Sequence, residues 1–194
     1  MRLFRLSLAT SLFVFALSPA ARAALGDPSL LGSGTSGDVV LARAGATAPL
    51  CVAADDWPGV RRAAGDLSAD IERVTGMKPE LNPAPPASAR TTVLIGTIGR
   101  STLIDALVKA GKLNVDAIRG KWEAFLIETV EQPLPGVDRA LVIAGSDKRG
   151  TIYGIYELSE QIGVSPWYWW SDVRPRTGTS STSSRGGWSR AGPR

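Results

Sequence analysis

Lys148 and Arg149 stand side by side in S-D-K-R-G-T (146–151), directly after an apolar run and at the start of an amphipathic one. Two cations at a helix N-terminus suit a carboxylate, such as that of a uronic acid, because the helix dipole and the side-chain charges act together. A solvated helix cap is the plainer alternative for the same residues. Trp167, Tyr168, Trp169 and Trp170 form the second conspicuous group. That much aromatic surface suits sugar stacking or burial against another domain. A third stretch, L-I-G-T-I-G-R-S (94–101), puts Gly96 and Gly99 between a strand-like and a helix-like run. It lacks the third glycine of a dinucleotide fingerprint and the Lys-Ser/Thr of a phosphate loop, so it reads as a tight turn.

Other chemistries are narrowed by what the chain contains. There is no histidine, so a His-based zinc site or a His-dependent nucleophile is not available within it. Cys51 is the single cysteine and lies in an apolar strand-like run, as expected of a buried, inert thiol. Glycosidases set two carboxyl groups about 5–10 Å apart across the scissile bond. Asp55 and Asp56 are adjacent at a helix start and read as helix-capping, while Glu157 and Glu160 lie on a polar helix side. Neither pair predicts an acid/base couple. No metal and no organic cofactor are expected.

The elements that position these residues alternate between strands and helices. Asp38–Arg43, Pro49–Ala53, Thr91–Thr97, Glu123–Glu131 and Arg139–Gly145 read as strands. Thr91–Thr97 and Arg139–Gly145 are unbroken apolar runs, as in strands buried on both faces. Pro58–Thr75 carries Val60, Ala63, Ala64, Leu67, Ile71 and Val74 at helical spacing, and Gly76 ends it. Arg100–Ala110 predicts a second helix capped by Ser101, with Ile104, Leu107 and Val108 inward. The third runs from a cap at Ser146 or Asp147 to Gly163, with Ile152, Ile155, Tyr156 and Ile162 inward. Gly150 and Gly154, four apart, allow close approach to a sheet. The expected fold is a single α/β domain with a mixed sheet and about three helices.

The two ends differ in composition. Residues 1–23 have Arg2 and Arg5, an apolar Leu6–Leu17 and an Ala21-Arg22-Ala23 cleavage pattern, which predicts a secretory signal peptide. The protein is therefore expected to be secreted or periplasmic, off the membrane after cleavage. Residues 24–37 are a flexible lead-in, 38–173 the α/β domain, and 174–194 a disordered tail. The net charge of +4 belongs to the ends: residues 24–173 hold 14 basic and 18 acidic side chains. Nucleic acid is accordingly not an expected partner.

The run Gly145–Val173, G-S-D-K-R-G-T-I-Y-G-I-Y-E-L-S-E-Q-I-G-V-S-P-W-Y-W-W-S-D-V, resembles glycoside hydrolase family 115, the xylan α-1,2-glucuronidases. I-G-T-I-G-R-S-T-L-I-D, G-K-L-N-V-D-A-I-R-G-K-W-E-A-F-L-I-E-T-V and P-G-V-D-R-A-L-V-I-A-G resemble it in the same order upstream. The resemblance covers about Val39–Val173. It implies the N-terminal α/β domain of such an enzyme, similar to the domain preceding the barrel in hexosaminidases and family 67 glucuronidases. The catalytic acids then belong to a barrel of about 250 residues, which is the expected partner in cis and is absent here. No catalytic residue is carried over. Lys148, Arg149 and Trp167–Trp170 match as substrate- or barrel-facing positions, with xylan oligosaccharides as a candidate ligand. A stand-alone carbohydrate-binding or interaction module using Trp167–Trp170 is the alternative.

After Val173 the chain has five arginines and no acid. With Ser180 and Ser184 as AGC and Arg185 as CGG, the shifted frame reads P-P-H-R-D-E-L-Y-V-K-P-G-R, which resembles the family's continuation towards the barrel. Residues 174–194 are thus expected to be frameshifted, with natural truncation as the alternative. The nucleotide sequence decides between them.

Overall fold

The computed structural model describes residues 39–43, 45–165 and 188–190. The described residues form eight strands and three helices in the order β1 (Ala42–Arg43), β2 (Ala46–Thr47), β3 (Leu50–Val52), α1 (Pro58–Thr75), β4 (Leu81–Asn82), β5 (Thr91–Thr97), α2 (Thr102–Lys109), β6 (Phe125–Glu131), β7 (Arg139–Gly145), α3 (Lys148–Gln161) and β8 (Trp188–Arg190). β1 and β2 form a small hairpin. The main sheet has the order β4-β3-β5-β7-β6-β8. Its first four strands are parallel; β6 runs antiparallel to β7, and β8 antiparallel to β6.

Strand alternation splits the apolar residues between two faces. Leu50, Val52, Val93, Ile95, Leu141 and Ile143 meet α1 and α3 on one side, with Val60, Leu67, Ile71, Ile155 and Leu158. Cys51, Leu94, Val142 and Ala144 face the other side and meet Ile104 and Leu107 of α2, with Leu113, Val115 and Ile118 from the segment after it. Both faces of β5 and β7 are therefore dry, which is why these strands are apolar throughout. Cys51 is fully buried beside the Thr92 hydroxyl at 3.2 Å, and burial pushes its thiol pKa up. It is the inert thiol expected.

The three helices and the mixed sheet match the expected fold, with local corrections. α1 spans the expected residues, but its N-cap is Trp57, and neither Asp55 nor Asp56 caps it through a side chain. Ser101 precedes α2 without capping it. Tyr156 is 46% exposed and faces outward, while Leu158 takes a place on the inner stripe of α3. The expected strand at Asp38–Arg43 shortens to β1. Strands β2, β4 and β8 were not expected. Within 174–194, expected as a disordered tail, Trp188–Arg190 lie along the open edge of β6. An edge strand's unpaired backbone groups offer such a segment hydrogen bonds that composition alone does not reveal.

Candidate functional site at the carboxyl end of the sheet

Strands β3, β5 and β7 deliver three turns to one end of the sheet. The helix after β3 and the helix after β7 pack on one face and the helix after β5 on the other. Between β3 and β5, and again between β5 and β7, the chain thus changes face. Open α/β sheets place ligands at such switch points.

Here the chain fills the first one itself. Asp56 is 2% exposed. Its Oδ2 accepts the Thr97 N–H at 2.8 Å, and its Oδ1 accepts the Thr97 hydroxyl at 3.0 Å and the Trp57 N–H at 2.7 Å. Thr97 Oγ1 also lies 2.8 Å from Thr151 Oγ1, whose proton is within reach of the Asp147 carbonyl at 2.9 Å. One carboxylate therefore ties the β3 turn to β5, and through two hydroxyls to α3. An incoming anion would meet a negative charge whose donors are already taken.

The second turn is equally occupied. Asp147 caps α3 by accepting the Gly150 N–H at 2.7 Å, and its other oxygen accepts the Glu123 N–H at 2.9 Å. Gly150 is required there, since a Cβ would run into the Ala124 carbonyl. Arg149 pairs with Glu123 at 2.7 Å, donates to the Tyr153 hydroxyl at 2.8 Å, and lies over that ring at 5.7 Å. The Tyr153 bond, followed by the charge of Glu123, pushes the guanidinium pKa up. The predicted two-cation pair is thus divided: Arg149 is committed to Glu123, whereas Lys148 is exposed and makes no ion pair among the described residues.

The same end carries two residues that the sequence reading passed over. Trp57 is 40% exposed, with the Arg100 guanidinium 4.7 Å above its ring. Trp122 is 83% exposed in the turn entering β6, whose Phe125 pairs with Gly145 at the end of β7. Each tryptophan stands next to turn residues, in D-D-W-P-G and G-K-W-E-A, which was the available signal. Trp167, Tyr168, Trp169 and Trp170 lie outside the described residues. The last residue before them that is described, Ser165, follows the end of α3 remote from Lys148, roughly 20 Å along the 14-residue helix.

The opposite end of the sheet has an open groove of about 580 Å³ bordered by Arg43, Lys78, Glu80 and Arg90. Lys78 and Arg90 there are countered by Glu72 at 3.6 Å and Asp138 at 3.0 Å. Among the described residues no cluster of ligating side chains could hold a metal, and no helix is long and apolar enough to cross a membrane.

The family model for the glycosyl hydrolase family 67 N-terminus matches residues 43–158, more than half of the chain. Among solved structures, a family GH115 4-O-methyl-α-glucuronidase with specificity for decorated arabinogalactans is similar at a TM-score of 0.64 and 29% identity. The alignment covers 77% of this chain and 18% of that enzyme. A GH20 β-N-acetylhexosaminidase from Streptomyces coelicolor A3(2) is aligned at a TM-score of 0.47 and 11% identity, over 86% of this chain and 26% of that one. No curated protein matches the sequence.

Proposed function

The chain belongs to the glycosyl hydrolase family 67 N-terminus family, as the N-terminal domain of a family 115/67-type enzyme, and on that premise we propose that it supports removal of α-1,2-linked (4-O-methyl-)glucuronic acid from glucuronoxylan. It is an accessory domain of a glycoside hydrolase. The proposed partner is a catalytic barrel in cis, and the proposed location is secreted or periplasmic, from the signal-like residues 1–23. The basic composition after Val173 supports reading 174–194 as out of frame, which the nucleotide sequence tests.

The observation that carries this reading is the match over residues 43–158 to an N-terminal domain, together with 29% identity to an enzyme of which this chain spans 18%. The state of the carboxylates agrees with it. Asp56 is held by three protein donors, Glu123 by Arg149, and Asp70 by Arg73. Each of these carboxylates is engaged by donors of the chain itself rather than left to act on a glycosidic bond. This chain alone is therefore proposed to be inactive, with Lys148, Arg149 and Trp167–Trp170 as positions facing substrate or barrel.

The test compares this chain with the same domain joined to a family barrel, on glucuronoxylan and on decorated arabinogalactan. The similar enzyme's specificity makes the second polymer the informative control. Only the joined protein should release 4-O-methylglucuronic acid, and it should do so from xylan. Turnover by the chain alone overturns the accessory role. Release from arabinogalactan with none from xylan overturns the substrate.

A further inference from the structure

We propose that Trp122, with the Arg149–Glu123 pair that follows it in the same turn, is a binding site for one pyranose ring of a glycan chain. Trp122 is more exposed than any other large apolar side chain among the described residues. Exposure alone decides little, since single apolar side chains are common on protein surfaces. The turn that carries the ring sets it apart.

Glu123 has a φ of 52°, in the left-handed region that a residue with a Cβ enters only at a cost. Its conformation is held from two sides. The Glu123 N–H donates to Asp147 at 2.9 Å, and its carboxylate pairs with Arg149 at 2.7 Å. The Ala124 N–H donates to the Ser146 hydroxyl at 3.1 Å, and the Ser146 N–H returns to the Ala124 carbonyl at 2.8 Å. These bonds fix the backbone next to Trp122 without using the indole. A ring on so firmly held a turn meets a ligand at little ordering cost.

The neighbours suit a sugar better than a protein. Lys121 is exposed, and the Arg149 side chain is 60% exposed. Charged groups of this kind are depleted at the centre of protein interfaces. The face of an indole is negative, so it attracts the slightly positive C–H bonds on one face of a pyranose. The hydroxyls around such a ring each donate and accept. Arg149 offers Nη1 to Glu123 and Nη2 to the Tyr153 hydroxyl. A guanidinium has five N–H donors and a carboxylate about four acceptor sites, so the pair keeps both kinds for hydroxyls. An aromatic face followed by a fixed donor and acceptor matches the face and the edge of one sugar unit. Xylan is the first chain to try, on the reading proposed above; the site itself needs only a pyranose.

The test titrates the full chain with xylohexaose and, separately, with a galacto-oligosaccharide, while NMR follows the tryptophan indole N–H signals. The chain has six tryptophans, and the signal missing from Trp122→Ala identifies Trp122. That signal should shift saturably with at least one of the two sugars. By calorimetry, Trp122→Ala should bind the same sugar about tenfold more weakly, and Trp122→Tyr should stay within about threefold of wild type. Because the ring is exposed, Trp122→Ala should fold with an unchanged urea midpoint. A Trp122 signal that neither sugar moves overturns the proposal. So does a Trp122→Ala affinity equal to that of wild type, and loosening of the joined domain–barrel protein by that variant then marks a domain contact instead. Binding of the galacto-oligosaccharide alone keeps the site and counts against xylan, so the site and the substrate reading fail separately.

Discussion

The units β5–α2 and β7–α3 start side by side, with Thr97 paired to Gly145 at the ends of neighbouring parallel strands. Each has a glycine near the strand end with a hydroxyl residue from the following helix start packed on it, Ser101 on Gly96 and Thr151 on Gly145. The sequence signals are therefore nearly the same. Their polar accounting is not. Thr151 has partners in Thr97 and Asp147, and Asp147 caps its helix. Ser101 Oγ is buried without a partner, and its turn is held instead by Asp105, which accepts the Gly99 N–H at 2.8 Å. A glycine followed by a hydroxyl residue thus marks close helix-to-strand packing, whether or not the hydroxyl bonds anything. The polar connections to β3, β5 and β6 are concentrated on α3.

The largest effects should come from filling those close approaches. At Gly145 an added Cβ meets the backbone nitrogen of Thr151, and at Gly150 the carbonyl of Ala124. At Gly96 it meets the Ser101 side chain and, at 2.7 Å, Cγ1 of Ile104. Gly145→Ala and Gly150→Ala should each cost more than about 3 kcal/mol, and Gly96→Ala about 2 kcal/mol. The comparison is sharpened by second substitutions. Ser101→Gly should restore part of the loss in Gly96→Ala, whereas Thr151→Ala should restore less in Gly145→Ala, because the Thr151 backbone nitrogen and Cα remain in the way once Oγ1 is removed. Urea midpoints at constant m-value measure this, and equal rescue of both would break the distinction.

Much of the framework was legible. Pro58–Thr75, Thr91–Thr97 and Arg139–Gly145 coincide with α1, β5 and β7, because a long amphipathic stripe or an unbroken β-branched run admits one reading. Two-residue strands such as β2 and β4 carry no periodicity and exist only through pairing. Asp56 shows why the site was harder. Its position before α1 suits a helix N-terminus, but its acceptors are spent on Thr97, 41 residues away. Arg149 was legible as a cation at a helix start, yet its partner Glu123 belongs to the turn before β6. Local sequence places a charge at an end of the sheet; the crossovers decide what neutralises it.

Removing the carboxylate that links the two units should rank next. Asp56→Ala leaves the Thr97 N–H, the Thr97 hydroxyl and the Trp57 N–H without their acceptor, at a cost of about 3 kcal/mol. Asp56→Asn keeps an oxygen and should lose less. The helix starts then separate the units directly. Asp147→Ala should cost about 1–2 kcal/mol, since a cap and the bond to Glu123 go together. Ser101→Ala should be neutral or slightly stabilising, because it removes a buried hydroxyl that has no partner. Equal losses in thermal or urea unfolding would mean that both turns are capped in solution.

The smallest effect lies further along α3. Tyr156 donates to Asp66 of α1 at 2.9 Å, whereas the counterpart on α2, Thr102, reaches Asp55 only at 3.5 Å. Burial, then the bond to Asp66, pushes the Tyr156 hydroxyl up to about 12. Tyrosine is an acid, so a raised folded value means that the native chain keeps its proton longer than the unfolded one. Its contribution is complete below the ordinary value of about 10 and is lost as pH rises from there through about 12. With the ring 46% exposed, Tyr156→Phe should cost under about 1 kcal/mol near neutrality. The stability difference between wild type and variant should shrink across that alkaline window, which cancels the titration of the shared lysines. A difference independent of pH would show that the hydroxyl bond to Asp66 is not formed, and that this bond is not what separates α3 from α2.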